Sequence, residues 1–198
     1  MTSFTFISGN LGLDLAGTLQ HRRADRRDLL REPADLARWT VEAGILDVPP
    51  VVGAADLAAG KTLREAIYRL ALYRLAAGDA MDRLGGAVDR PAVDGAGVAA
   101  DDRLLVNRVA TGPPASVLLN DAGRVERSGD LAAALSTVAR EAVQLLGGPR
   151  AVQIKECGGE VCTRLYVDTS RGSSRRWCDM HECGNRAKAA GFRARQRA

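Results

Sequence analysis

The sequence predicts an α+β chain: a mainly helical N-terminal region with a few short strands over residues 1–146, then a small, separately stabilised module over 150–198. Three observations lead there. Apolar residues make up 46% of the 198-residue chain but aromatics only 4%, so the core must be built from Leu, Val, Ile and Ala, a composition that sits on helices. Several stretches repeat apolar residues at three- and four-residue steps. All four cysteines fall between positions 157 and 183, which marks the C-terminal end as a unit of different construction. The length gives room for one ordinary domain and a small appended module.

In chain order, Phe4 to Leu15 alternates partly and predicts a strand or extended lead-in. Pro33 stands at a permitted first-turn position for a helix from Ala34 to Ala43, ended by Gly44 and buried through Leu36, Trp39, Thr40 and Ala43. A longer helix is expected from Ala55 to Ala77, through Leu63, Ala66, Ile67, Leu70, Ala71 and Leu75, with Gly78 after it and a short helical stretch from Ala80 to Leu84. Pro91, Gly95 and Gly97 mark a loop between Arg90 and Ala100. Leu104–Ala110 and Ala115–Leu119 read as a strand pair across Thr111-Gly112-Pro113-Pro114. Asp130 to Leu146 is amphipathic through Leu131, Leu135, Val138, Ala142 and Leu145, and Gly147-Gly148-Pro149 closes it. Beyond that boundary, Val152–Glu156 and Val161–Val167 should pair as a hairpin. Asn185 is placed to cap a last helix from Arg186 to Arg195, with Gly191 weakening its second half.

Charge separates the two ends. Residues 150–198 carry eleven basic and five acidic side chains, while the remaining 149 carry 17 and 19. The last quarter is therefore net +6 and the rest net −2, the footprint of a segment that meets a polyanion. A basic tail that serves only solubility has the same composition. No window approaches 18 uncharged apolar residues, so no membrane span is expected. The apolar stretch at the start has no basic leader before it and contains Asp14, so no secretory signal is expected and the chain is placed in the cytoplasm.

The cysteines follow the pattern C-x4-C-x15-C-x4-C, as Cys157, Cys162, Cys178 and Cys183. Two close pairs separated by a spacer of this size suit a treble-clef or ribbon-like zinc finger, in which each pair sits on a turn and all four sulfurs converge on one Zn²⁺. Gly158, Gly159 and Gly184 follow ligands where such a turn calls for unusual backbone angles. A closed set of four thiolates leaves no open coordination position, so the zinc should be structural. Two disulfides are the competing reading, which a reducing compartment disfavours. His181 stands three residues after Cys178 and is an alternative ligand.

The run Ser173-Ser174-Arg175-Arg176-Trp177-Cys178-Asp179-Met180-His181-Glu182-Cys183-Gly184-Asn185-Arg186 resembles the CGNR zinc finger, a family named for its Cys-Gly-Asn-Arg signature. The Arg-Trp-Cys lead-in, Met180 between the cysteines and the preceding Asp168-Thr169-Ser170-Arg171 belong to the same likeness, which spans about residues 150–198. Phe4, Phe6, Gly9, Leu13, Asp14 and Thr18 resemble, over about residues 4–145, the ABATE-like N-terminal domain that such proteins carry; Gly17 stands where that pattern has Asn. The resemblance implies a stress-associated bacterial transcription regulator whose finger binds DNA.

On the last helix Arg186, Arg193 and Arg197 share one face, with Lys188 and Arg195 beside it and Arg175 and Arg176 on the loop across. Such a helix fits the major groove of double-stranded DNA, where Arg can read guanine and other cations hold phosphates. Arg186 could instead brace the zinc turn, or pair with Asp168 or Glu182. Trp177 is expected to pack under the zinc turn, with exposed stacking on single-stranded bases as its alternative. Asp14 and Thr18 are candidates for a ligand pocket, or for capping the chain's entry to a helix. No catalytic constellation is present: there is no P-loop and no GxSxG, the run from Gly95 to Ala100 does not follow a strand, and His21 and His181 are the only histidines. The sequence therefore predicts a DNA-binding regulator and not an enzyme, its N-terminal region sensing a small-molecule effector or forming a homodimer. The alternative is a zinc-stabilised protein-interaction module, or an RNA-binding one with Tyr166 as its lone hairpin aromatic.

Overall fold

The computed structural model describes residues 3–84 and 96–197. The start of the chain is extended only as far as Asn10, which turns it into helix α1, Leu11–Ala16, by accepting hydrogen bonds from the N–H groups of Gly12 and Leu13 at 2.9 and 3.4 Å. The strand or extended lead-in expected through Leu15 is thus an extended segment as far as Asn10, followed by a capped helix. A hairpin of two-residue strands follows, β1 (Leu19–Gln20) and β2 (Arg27–Asp28), too short for any periodicity to announce. Helix α2 is Pro33–Glu42. Asp35 in its first turn reaches back to accept from the N–H groups of Arg31 and Glu32 at 2.9 and 3.2 Å, satisfying donors the helix itself cannot.

Helix α3 runs unbroken over Ala54–Leu84, so the two stretches expected on either side of Gly78 are one helix. A single interior glycine costs only about 1 kcal/mol relative to Ala, too little to end a helix of 31 residues. Helix α4, Ala96–Ala110, contains both Gly97, expected in a loop, and Leu104–Ala110, expected as a strand; the rest of that loop, residues 90–95, lies outside the described residues. A short apolar run fits either element. Tertiary contacts decide for helix here, because Asp102 takes a forked pair of hydrogen bonds from Arg69 of α3 at 2.7 and 2.6 Å, and Val106 enters the core. Strand β3, Ser116–Leu119, therefore pairs with β4, Val125–Ser128, and not with Leu104–Ala110. Helix α5, Leu131–Gly147, starts at Asp130, whose carboxylate accepts from the N–H of Ala133 at 2.8 Å.

After a 3-10 turn at Pro149–Gln153 come β5 (Ile154–Glu156) and β6 (Leu165–Val167), an antiparallel pair with Lys155 opposite Tyr166. A π-helical turn, Met180–Gly184, leads directly into α6, Asn185–Arg197. Among the described residues the architecture is mainly helical with three two-stranded ribbons. Among the described residues no helix is long and apolar enough to cross a membrane.

Among the described residues three buried clusters form the core. The first joins α2, α3, α4 and α5 through Leu36, Trp39, Leu63, Ile67, Val106 and Val138. The second joins Leu13 and Ala16 of α1, Tyr68 and Ala71 of α3 and Leu145 of α5 to Ile154, Leu165 and Val167 of the β5–β6 hairpin. The third surrounds the cysteines. Helix α1 fits against α5 because Gly12 has no side chain: a Cβ there would stand 2.8 Å from that of Ala142. The extended segment before α1 lies across the hairpin, where Ser8 accepts from the N–H of Val167 at 2.8 Å and Thr5 from the Arg164 guanidinium at 3.0 Å.

A charged network closes the other side. The Arg64 side chain, 4% exposed, donates to both oxygens of Asp28 at 2.7 and 3.2 Å, and Lys61 reaches the same carboxylate at 3.1 Å. Arg22 pairs with Glu65 at 2.5 Å and stacks 3.8 Å from the centre of the Tyr68 ring. Its backbone N–H donates to the Thr163 hydroxyl at 3.1 Å, and neighbouring Arg23 pairs with Glu156 at 2.8 Å. Ribbon β1–β2 is thereby tied at once to α3 and to the C-terminal hairpin.

Partial burial raises the Asp28 pKa, but hydrogen bonds from Arg64, then its charge and Lys61, outweigh this and leave it below the ordinary 3.8. A carboxylate depressed on folding stabilises above its unfolded pKa and loses that contribution as pH falls. Asp28→Asn is expected to lower stability at pH 7, and the gap to the wild type should narrow between about pH 5 and about pH 2 in urea titrations; a widening gap contradicts the assignment. Leu165→Ala removes a fully buried side chain from the second cluster and should cost about 2–5 kcal/mol. Because that cluster spans helices and hairpin, helical circular dichroism should lose stability with it; an unshifted helical transition would show the hairpin to be merely appended.

Candidate metal centre and basic helix

Cys157 follows β5 directly, and its N–H donates to the carbonyl of Arg164 at 2.9 Å, continuing the hairpin ladder. The chain then turns back so that the N–H of Cys162 meets the carbonyl of Gly159 at 3.1 Å. The second pair arrives from the opposite direction: Cys178 precedes the π-helical turn and Cys183 lies within it. A hairpin turn and a helical turn thus face each other, in the manner of a treble clef. The glycines serve this approach through lack of bulk, not through unusual angles, since none of Gly158, Gly159 and Gly184 has a positive φ. A Cβ on Gly159 would lie 3.1 Å from the Cβ of Cys162 and 3.5 Å from the sulfur of Cys183, and one on Gly184 would lie 2.9 Å from the sulfur of Met180.

The four sulfurs lie within 4.8 Å of one another. Cys162 and Cys178 are 3.8 Å apart, and Cys178 and Cys183 3.7 Å. Zinc–thiolate bonds of ~2.3 Å in a tetrahedron require sulfur–sulfur edges of about 3.8 Å, so the geometry fits one ion held by four thiolates. None of the four is in a disulfide, and His181 is not part of the converging group. The N–H of Cys178 donates to the sulfur of Cys157 at 3.3 Å, the bond expected to a charged thiolate. Hydrogen bonds from Cys162 and Cys178 hold the Cys157 thiol far below its ordinary range. The same crowding, led by the bond to Cys157, pushes Cys178 up, and burial raises Cys183 to about 12. Thiols so close cannot all ionise by themselves, and a divalent cation at their centre is what permits it.

A second layer of bonds holds the ligand loops. Asp168, 1% exposed, accepts from Lys155 at 2.7 Å, from the N–H and hydroxyl of Ser170 at 2.9 and 2.6 Å, and from the N–H of Arg175 at 3.1 Å. Burial would raise its pKa, but the Lys155 and Ser170 donors win and hold it well below the usual carboxylate range. Arg175 faces inward: its guanidinium lies 4.3 Å from the centre of the Tyr166 ring and donates to the carbonyls of Trp177 and Cys178, and to that of Ile7 in the extended segment. Tyr166 is fully buried with its hydroxyl donating to the Arg175 carbonyl at 2.8 Å, and burial pushes its pKa up to about 12. It is not presented for stacking on RNA bases. The bracing by Asp168 and Arg175 was not foreseen from the sequence. Its only signal was the Asp-Thr-Ser-Arg stretch ahead of the arginine pair.

The cations expected on a nucleic-acid face are divided by the structure. Arg175 is turned into the fold, while Arg176 is exposed beside the half-buried Trp177, 5.5 Å from the centre of that ring. Arg186 is exposed and stands 3.6 Å from Glu182, one of the two acidic partners the sequence offers it. Lys188, Arg193 and Arg195 are exposed on α6 and make no ion pair among the described residues. Asn185 does not cap α6. The helical path begins a turn earlier, where the Asp179 carboxylate accepts from the N–H of His181 at 3.0 Å, and Asn185 donates back to the His181 carbonyl at 3.0 Å. Folding Cys183 into the helical path is what moves the start.

Asp14 and Thr18 are both buried and internally bonded. Asp14 accepts from the N–H of Ser8 at 3.0 Å, and burial pushes its carboxyl up. Thr18 donates to the Leu15 carbonyl at 2.7 Å and accepts from Arg64 at 3.4 Å. Neither lines the clefts that border the cysteines. One of these, about 370 Å³, lies between the N-terminal elements and the finger and is lined by Thr5, Gln20, Arg27, Thr163, Arg164 and Arg186. The other, about 360 Å³, runs between the first cysteine turn and α6 past Val161, Trp177, Ala187 and Ala190.

Fold and site together define a mainly helical α+β protein carrying a structural four-thiolate zinc finger. The CGNR zinc finger family matches residues 153–196, and the family described as "Putative stress-induced transcription regulator", ABATE, matches residues 9–149. With most of its length matched, the chain belongs to the ABATE family. No curated protein matches it.

Loss of one thiolate is expected to release the ion and free α6, which packs chiefly on the π-helical turn. Cys162→Ser should bring bound zinc well below one per chain in the presence of a competing chelator and abolish amide protection in α6, while α5 keeps its own. Unchanged zinc retention by this variant would contradict a four-thiolate site.

Proposed function

We propose that the chain is a DNA-binding transcription regulator and not an enzyme, in which zinc fixes a basic helix for docking on duplex DNA. The observation that carries this reading is α6. Its thirteen residues include no acid and five basic side chains, of which Lys188, Arg193 and Arg195 are exposed, and its N-terminal end is anchored at a metal ligand. A helix of this kind suits the major groove, with its cations divided between phosphates and base edges. Arg176 and Arg186 lie near the anchored end and suit a second contact, whereas Arg175 serves this function by bracing Cys178. The N-terminal region would sense a small-molecule effector or bring two copies together. The polar cleft lined by Gln20, Arg27 and Arg164 supports the first role, since it touches both the N-terminal elements and the finger.

The test is selection of bound duplexes from a random pool by the zinc-loaded chain, followed by two variants. Arg195→Ala should weaken all sequences alike and flatten the salt dependence, whereas Arg186→Ala should reduce discrimination at one position by about 1–3 kcal/mol. Equal and small effects of both changes would move α6 off the DNA. If no duplex is retained, the groove past Trp177 and Val161 becomes the candidate surface for a protein partner.

A further inference from the structure

The β3–β4 ribbon carries an apolar surface that nothing among the described residues covers. Val117, Leu118, Leu119 and Val125 are 64, 60, 75 and 48% exposed. Three of them are consecutive in the strand, so the exposed apolar surface is continuous along β3.

Hydrogen-bond alternation shows which edge of the ribbon is open. In an antiparallel pair, each residue directs its N–H and C=O either toward the neighbouring strand or away from it, in alternation. Arg127 directs both groups away from β3: its N–H donates to the Asp47 carboxylate at 2.7 Å, and its carbonyl accepts from the N–H of Asp47 at 3.1 Å. Val117, opposite Arg127, must then direct its own pair away from β4, and so must Leu119. Asn120 has the opposite parity and donates inward to the Arg124 carbonyl at 2.9 Å. Ala115 has the outward parity, and its N–H is taken by the Thr137 hydroxyl of α5 at 3.0 Å. The outer edge of β4 is thus closed by Asp47 and the start of β3 by Thr137. The outward groups of Val117 and Leu119 have no backbone partner among the described residues.

We propose that this edge joins two copies of the chain, β3 to β3, about a twofold axis at Leu118. An antiparallel pairing on that axis sets Val117 of one copy opposite Leu119 of the other, and residues of this parity exchange both backbone bonds. Leu118 meets Leu118 of the second copy in a close, non-hydrogen-bonded pair, and Ser116 meets Asn120. One strand therefore supplies both halves of the interface, as an isologous contact requires. Charge favours the same occupant. Residues 115–120 read Ala-Ser-Val-Leu-Leu-Asn, without a charge, so two copies meet without like-charge contact. Arg124, Glu126 and Arg127 all lie one strand further from the axis. The edge also has neither the charge nor the proline inside the strand that keep solitary edges apart. The proposal deepens the self-association side of the function proposed above, on which it rests, and requires no contact with DNA.

Sedimentation equilibrium of the zinc-loaded full chain, without DNA, tests it. The wild type should be a dimer. Leu118→Lys and Leu118→Glu, each at an exposed position, should sediment as monomers with helical melting unchanged, and an equimolar mixture of the two should restore the dimer. Val117→Pro should also be monomeric, because the N–H it removes points away from β4 and the ribbon's own bonds survive. A monomeric wild type, a dimer that persists in the Leu118 variants, or a mixture that stays monomeric overturns the proposal. A monomer that still enriches a DNA motif would remove this interface and leave the DNA reading standing. A dimer disrupted by these variants that retains no duplex would do the reverse.

Discussion

Four thiols within 4.8 Å of one another gain nothing from proximity unless a cation lies between them, and the surrounding C-terminal residues are built around that condition. A zinc tetrathiolate carries two net negative charges. Arg164 and Arg186 border the cleft beside Cys162, Cys178 and Cys183, and Arg175 donates to the Cys178 carbonyl. These cations border a site whose loaded form would carry excess negative charge. Asp168, fully buried beneath them, ties Lys155 of β5 to the backbone of Ser170 and Arg175. The arginine that supports one ligand is thereby positioned from the strand that leads to another.

The hairpin that carries Cys157 and Cys162 is also part of the larger fold. Leu165 and Val167 are buried with Leu13, Tyr68 and Leu145, and the extended segment before α1 bonds to Val167, Arg164 and Arg175. The metal site therefore has one side continuous with the helical core and another that passes through the π-helical turn into α6. The cleft lined by Thr5, Gln20, Arg164 and Arg186 lies between them.

Much of this was legible in the residues. The cysteine spacing announced the metal site, Pro33 the start of α2, and the stripe from Leu131 to Leu145 the helix α5, because each signal is local. What was not legible depends on distant partners. The Asn10 turn requires Ser8 and Asp14 to bond each other. Leu104–Ala110 is helical because Asp102 meets Arg69 and Val106 meets the core. Arg175 looks like any surface arginine until Tyr166 is seen beneath it. Asn185 reads as a cap only while the π-helical turn that carries Cys183 is unknown. The apolar run of β3 was recognised as a strand, but its mate lay on the C-terminal side and its open edge could be seen only from the bonds of Arg127.

The central claim is that four sulfurs, and nothing else, hold one ion and through it α6. X-ray absorption at the zinc edge on the purified chain tests this most directly. Four sulfur scatterers at ~2.3 Å, at one zinc per chain, are expected. A nitrogen or oxygen in the shell, from His181 or from solvent, would mean that the four thiols do not close the site and that the account of α6 as a helix fixed by a structural ion is wrong.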